Sequence, residues 1–159
     1  MTTEITYGTA TGFTITLNSL ADGSARESTA VSNTSTKAVD YLISGTLEGA
    51  ASADGTATIY AYGQGASGKY SGSASGTDAA FTDSTGGQLF ANLKKLDLVT
   101  VDAATTENFE WGPVSLAAAF GGVCPDSFGV VVHWVDKGTA ALHSSNNAVT
   151  YQSIKYADV

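Results

Sequence analysis

Short segments of alternating apolar and polar residues recur along most of this chain. In the run GFTITL, for example, Phe13, Ile15 and Leu17 alternate with two threonines. A period of two places alternate side chains on opposite faces of a β-strand. Turn pairs such as Asp22-Gly23 and Asp54-Gly55 separate these segments. Because parallel strands need long crossover connections, short turns of this kind favour an antiparallel all-β fold.

The alternating segments predict a single β-sandwich over residues 1–159, with about eight to ten strands. A jelly roll is the expected topology, and an immunoglobulin-like sandwich is the alternative. The run FGVVVHWV, from Phe128 to Val135, is apolar at almost every position, which predicts a central strand covered on both faces. The predicted strands are GFTITL, RESTAV, KAVDYLISGTLEG, ADGTATIYAYG, LKKLDLVTV, TTENFEWG, FGVVVHWV and AVTYQSIKYA.

One short helix is expected in the run SLAAAFGG. Ser115 is a favourable N-cap, Leu116 to Phe120 are mostly good helix formers, and Gly121 can adopt the left-handed conformation that ends a helix. Pro125 prevents any continuation. Such a short helix is stable only when it packs on the sheet.

Two segments are expected to be polar and flexible, although the run TEITY within the second of them alternates like a strand. The stretch from Gly63 to Gln88 is a long loop rich in glycine and serine, and Met1 to Ala10 is interpreted as an N-terminal arm. Long irregular segments in small domains are usually functional or mobile. We therefore expect both to become ordered when the protein binds a partner.

The charge balance excludes some classes of function. The chain has 7 basic and 15 acidic residues, with Arg26 as its one arginine and Lys94-Lys95 as its one basic pair. Binding to nucleic acid depends on many lysines and arginines, so that class is excluded. No apolar run approaches the roughly 20 residues of a membrane span. The absence of a secretory signal pattern and of paired cysteines predicts folding in the cytoplasm.

No pattern in the sequence indicates a catalytic, metal or cofactor site, so we expect a protein that is not an enzyme. Cys124, the single cysteine, is interpreted as a small apolar side chain and not as a nucleophile. His133 and His143 lack the spacing of zinc ligands. His133 is expected to be a core or interface residue, and His143 to be solvated near a turn.

Four aromatic residues are candidates for contact with a ligand or another subunit. Tyr60 and Tyr62 share a strand face, Tyr70 lies in the long loop, and Trp111 lies at a strand end. Exposed rings on a β-sandwich can stack on sugars, and tyrosine and tryptophan are also enriched in protein interfaces. An interface is the favoured interpretation, and a carbohydrate site is the alternative.

From Ser19 onward, a series of segments carries a resemblance to known proteins: LADGSARESTAVSNTS, DYLISGTL, IYAYG, GTDAAFT, NLKKLDLVTVD, WGPVSLAAAFGGVCPDSFGVVV and AVTYQSIKYA. In these segments the chain resembles a family of small virion structural proteins of tailed bacteriophages. The resemblance implies a jelly-roll-like sandwich that decorates the outside of the head, is made in the bacterial cytoplasm, and binds the major capsid protein. It also implies a homo-oligomer, with a trimer as the expected form. The alternative function is an adhesin on the tail or head that binds host carbohydrate.

Overall fold

The computed structural model describes residues 3–65, 67–82 and 88–158. These residues form eleven strands in two antiparallel sheets, which confirms the expected all-β sandwich. The strands in chain order are β1 (Thr3–Tyr7), β2 (Thr11–Gly12), β3 (Ala25–Glu27), β4 (Val31–Ser32), β5 (Asp40–Gly49), β6 (Asp54–Gly63), β7 (Ala79–Ala80), β8 (Lys94–Asp102), β9 (Glu107–Ser115), β10 (Ser127–Asp136) and β11 (Ala148–Asp158).

The order of the strands is that of a jelly roll. The front sheet has the order β1-β11-β5-β9, and the back sheet has the order β7-β3-β10-β6-β8. From β5 onward each connection crosses to the other sheet, except that β6, β7 and β8 all lie in the back sheet. Strands β6 and β8 are neighbours there. The strand count exceeds the expected eight to ten because two strand positions are interrupted. Both β1 and β2 pair with β11, and both β3 and β4 pair with β10.

The main core lies between the two sheets and follows the period of two. In β6, for example, Ala57, Ile59 and Ala61 are fully buried, whereas the alternate residues Thr56 and Thr58 are only partly buried. The largest fully buried side chains, in order of volume, are Trp134, Tyr41, Tyr62, Phe128, Leu17, Ile43, Leu47, Ile59, Leu116, Leu142, Val101 and Val130. All of these except Tyr62 belong to this core.

The run GFTITL is not a strand along its whole length, contrary to the prediction. Only Thr11–Gly12 form a strand with β11, and the chain leaves the front sheet after the Phe13 N–H donates to the Val149 carbonyl at 2.8 Å. Phe13 and Leu17 are nevertheless buried, with exposed threonines between them. The side-chain alternation therefore persists where the backbone no longer forms a ladder, because one side of the segment still faces the core.

The helix predicted after Ser115 is present as α2 (Leu116–Ala119). The Ser115 side chain accepts a hydrogen bond from the Ala118 N–H, at 3.0 Å. Gly121 has a φ of +77° just beyond the helix, as a helix-terminating glycine should. Gln88–Ala91 form another short helix, α1, which the sequence did not predict.

Residues 67–82 and 88–93 lie over the outer face of the back sheet, and we call them the cover segment. The described part of the predicted loop over residues 63–88 is mostly without helix or strand, apart from a few short elements. Gly63 completes β6, Gln64 bridges to Tyr70, and Ser71–Ser73 form a 3-10 turn. Residues 66 and 83–87 of the predicted loop lie outside the described residues.

Two charged residues of β3 anchor the cover segment. The buried Glu27 carboxylate accepts hydrogen bonds from the Ser75 N–H and hydroxyl, each at 2.8 Å. Arg26 pairs with Asp78 at 2.6 Å, and strand β7 pairs with β3 directly after it.

The cover segment also explains why β10 is apolar on both faces. Val130 and Val132 contribute to the main core, whereas Val131 contributes to a second core beneath the cover segment.

Candidate interaction surface

One feature that the fold leaves uncovered is a two-stranded ribbon formed by β1 and the end of β11. Strand β5 begins at Asp40, opposite Ile154, so the last residues of β11 pair only with β1. The prediction of an N-terminal arm over residues 1–10 is therefore wrong for Thr3–Tyr7, which form an ordered strand. Met1 and Thr2 lie outside the described residues.

Apolar side chains cover one face of this ribbon. Ile5 and Tyr7 lie two residues apart and so share a face, and Tyr156 is directly opposite Ile5. The three residues are 58%, 62% and 63% exposed, respectively. Ile154 lies opposite Tyr7 and extends the same stripe. We call these four side chains the ribbon stripe.

The sequence contained a signal for this surface. The run TEITY alternates, and its apolar residues Ile5 and Tyr7 fall on one face of a strand. That signal does not reveal whether the face is buried, because exposure depends on where β5 and the rest of the front sheet end.

Three of the four predicted aromatic residues come together, but between the back sheet and the cover segment, to which Tyr70 belongs, and not on a free surface. Tyr62 is fully buried and donates a hydrogen bond from its hydroxyl to the Ser28 carbonyl, at 2.5 Å. Its ring lies 5.2 Å from that of Tyr70, and the Tyr60 ring lies 5.4 Å from that of Phe90. Each ring already packs against another aromatic ring, as in a core.

Trp111 is separate from that cluster, because it lies on β9 in the front sheet. Its side chain is buried in the main core, and its indole N–H has no hydrogen-bond partner among the described residues. Trp111 also borders a surface depression of about 380 Å³ that includes Ser44, Thr46 and Thr150. The four predicted aromatic residues therefore do not form one site.

His143 is half-buried and bonded, so the expectation that it is solvated is wrong. Its Nδ1 lies 2.5 Å from the buried carboxylate of Glu48 and 3.1 Å from the Ser145 hydroxyl. Asn146 also donates to Glu48, and this hydrogen bond makes the largest contribution to lowering the pKa of Glu48. The Glu48 carboxylate and the Ser145 hydroxyl both lie within hydrogen-bond distance of the same ring nitrogen of His143, Nδ1. A catalytic triad instead requires them on opposite nitrogens, so this network fastens a loop to β5.

His133 and Cys124 lie in largely apolar surroundings. The His133 ring stacks on Phe90 with a centroid separation of 4.7 Å, and burial lowers its pKa. Burial, together with the nearby negative charge of Asp40, raises the pKa of Cys124 to about 11. A thiol with that pKa is protonated at neutral pH and is a poor nucleophile.

Within residues 3–65, 67–82 and 88–158, no three His, Cys, Asp or Glu side chains are grouped as metal ligands. Neither described helix nor the 3-10 turn has the length and hydropathy needed to cross a bilayer. Comparison with protein-family models, curated proteins and solved structures finds no match to this chain. The resemblance to phage virion proteins therefore stays a prediction.

Proposed function

We propose that this protein is a virion structural component that binds the outside of a tailed-phage head and stabilises it. Its partner is the major capsid protein. The proposal combines the sequence resemblance with the jelly-roll fold, which occurs in viral capsid proteins and also in lectins. Since a fold by itself does not define a function, the choice depends on the surface that the fold presents.

The ribbon stripe is the observation that carries the proposal. Ile5, Tyr7 and Tyr156 are all more than half exposed and adjacent on one face. The other large exposed apolar residues, such as Val123 and Val135, belong to different elements, and single exposed apolar residues are ordinary. Adjacent exposed apolar residues that include tyrosines are typical of protein interfaces.

The location of the ribbon also suits attachment to a preformed shell. It projects beyond β5, so a flat protein surface can approach it without displacing the core. The predicted long loop is a weaker candidate, because Glu27 and Arg26 already anchor its described part. Of the two segments expected to make contact, the N-terminal one is therefore the one we retain.

Stabilisation of a head would follow from mass action. A protein that binds only the assembled shell stabilises each site by about 2.7 kcal/mol when its free concentration is a hundredfold above Kd. Small increments at many sites oppose the pressure of packed DNA. The excess of acidic residues suits an outer surface that does not contact that DNA.

The test uses heads stripped of this protein and then reconstituted with variants. Tyr156→Ser removes one ring of the ribbon stripe and should reduce the number of bound copies at least about tenfold. Val123→Ser is the matched control, because Val123 is 73% exposed but lies outside the ribbon. Heads that carry the wild-type protein should release their DNA at a higher temperature than stripped heads.

Two results would contradict the proposal. One is an identical DNA-release temperature for stripped and reconstituted heads. The other is a position at the tail tip in an electron cryomicroscopy map, which would favour the carbohydrate-binding adhesin.

A further inference from the structure

The outer edge of β1 carries backbone groups that no described residue pairs. The Gly8 N–H donates to the Ser153 carbonyl at 2.8 Å, so Gly8 directs its N–H toward β11. Backbone groups alternate sides along a strand. The N–H and C=O groups of Glu4 and Thr6 therefore also point toward β11. Those of Thr3, Ile5 and Tyr7 point outward.

Other sheet edges of this protein carry features that discourage pairing. The edge strand β9 contains Pro113 and an irregular register, together with Glu107 and Glu110. The edge strand β8 begins with two lysines and also shifts its register against β6. Charges, prolines and bulges are the usual protection of exposed edges. Of these protective features, strand β1 has only one charged residue, Glu4, and its register with β11 is continuous.

We propose that β1 pairs antiparallel with β1 of a second copy of this chain, about a two-fold axis at Ile5. In this register Ile5 is opposite Ile5 of the second copy, and Thr3 is opposite Tyr7. The outward backbone groups belong to these same residues, so each opposed pair can exchange two N–H···O=C bonds. The front sheets of the two copies then form one continuous sheet.

The side chains also match in this register. Ile5 of each copy lies between Tyr156 of its own chain and Ile5 of the other, so the two ribbon stripes become one apolar band. On the opposite face, Glu4 is opposite Thr6 of the second copy and in a row with that copy's Lys155. No like charges face each other across the axis.

This self-complementarity favours a second copy over an unrelated protein as the occupant of the edge. A two-fold interface uses the same surface on both partners, so one strand must satisfy both sides. Strand β1 does so in its backbone, its apolar stripe and its charges. The inference does not depend on the proposed function, because association is measurable on the isolated chain.

Sedimentation velocity of the full chain, from about 1 µM to about 1 mM, tests the proposal. The wild-type protein should shift from monomer to dimer with rising concentration. Ile5→Lys and Ile5→Glu should each weaken association at least about tenfold. In each variant, residue 5 of one copy lies opposite residue 5 of the other, so two like charges repel each other across the two-fold axis. An equimolar mixture of the two variants should restore dimers. Val123→Lys is the control and should associate like the wild type.

A second variant tests the backbone separately. Ile5→Pro removes only an outward N–H, which an edge strand tolerates, and should also weaken dimerisation while the circular dichroism spectrum stays unchanged. A wild-type protein that stays monomeric throughout, or that forms trimers, would overturn the proposal. A charge-reversed mixture that remains monomeric would do the same.

Discussion

The outer face of the back sheet and the ribbon of the front sheet both present apolar side chains, but the protein treats them differently. On the back sheet, the cover segment buries Tyr62 and Val131 completely and places Phe81 and Phe90 beside them. On the ribbon, Ile5, Tyr7 and Tyr156 remain more than half exposed. The chain thus uses a long segment to cover one apolar face and leaves the other bare within the described residues.

The difference separates residues that stabilise the fold from residues that are available to a partner. Aromatic side chains of the cover segment and of the strands beneath it contact one another and contribute to the free energy of unfolding. Exposed apolar side chains on the ribbon contribute little to folding, because the folded protein does not remove them from water. Substitutions in the two regions should therefore affect different measurements.

The largest expected effect is the loss of a buried ring of the cover segment itself. Phe81 is 6% exposed and lies 5.2 Å, centroid to centroid, from Phe90. Phe81→Ala should lower the free energy of unfolding by about 3–5 kcal/mol, because it removes buried apolar surface and leaves a cavity. Urea denaturation followed by circular dichroism measures this change.

The matched substitution on the ribbon sharpens the comparison. Tyr7→Ala should change the free energy of unfolding by no more than about 0.5 kcal/mol, since Tyr7 is 62% exposed. Equal losses in the two variants would show that the ribbon is part of the folding core, and the distinction between the two regions would then fail.

A smaller effect is expected from the anchor of the cover segment. Glu27→Ala leaves the Ser75 N–H without its 2.8 Å acceptor and should cost about 2 kcal/mol, within the range for hydrogen bonds to charged groups. Amide hydrogen exchange should accelerate at Ser75 and Gly76. Glu4→Ala, on the ribbon, is the control and should leave exchange at both positions unchanged. Slow exchange at Ser75 in the Glu27 variant would mean that other contacts hold the segment.

The smallest expected effect is a change in acid stability. Burial would raise the pKa of Asp78, but hydrogen bonds from Arg26 and Thr16 outweigh burial and lower it. A carboxyl group with a lowered pKa in the folded state stabilises the fold above its unfolded pKa, near 3.9, and that stabilisation is lost as the pH falls below it. Asp78→Asn should therefore lose less stability than the wild type between about pH 5 and pH 2.

Thermal denaturation at several pH values measures this slope. Some acid sensitivity should remain in the Asp78 variant, because the pKa values of Glu48 and Asp136 are lowered as well. An unchanged slope would show that ionisation of Asp78 does not contribute to the acid sensitivity of the fold.

Much of the fold was predictable because its signals are local. Alternation identified most of the long strands, and Ser115 with Gly121 identified the bounds of α2. Where the prediction failed, contacts distant in sequence were responsible. The cover segment has no strand periodicity that would predict its ordered position. That position depends on contacts with Glu27 and Arg26, which lie on a strand about 50 residues earlier. The pairing of His143 with Glu48 joins residues 95 positions apart, and no local pattern reveals it.

A period of two and a turn residue act within a few positions, so the amino-acid order alone predicts the all-β class, the antiparallel arrangement and the faces of most long strands. Which apolar faces are covered follows from the packing of the folded chain. Tyr60 and Tyr62 looked like candidates for a binding surface but lie beneath the cover segment, whereas Thr3–Tyr7 looked like a loose arm but form a bare edge strand. Exposure depends on which segments arrive from elsewhere in the chain, and alternation is the same in a covered strand and in an uncovered one.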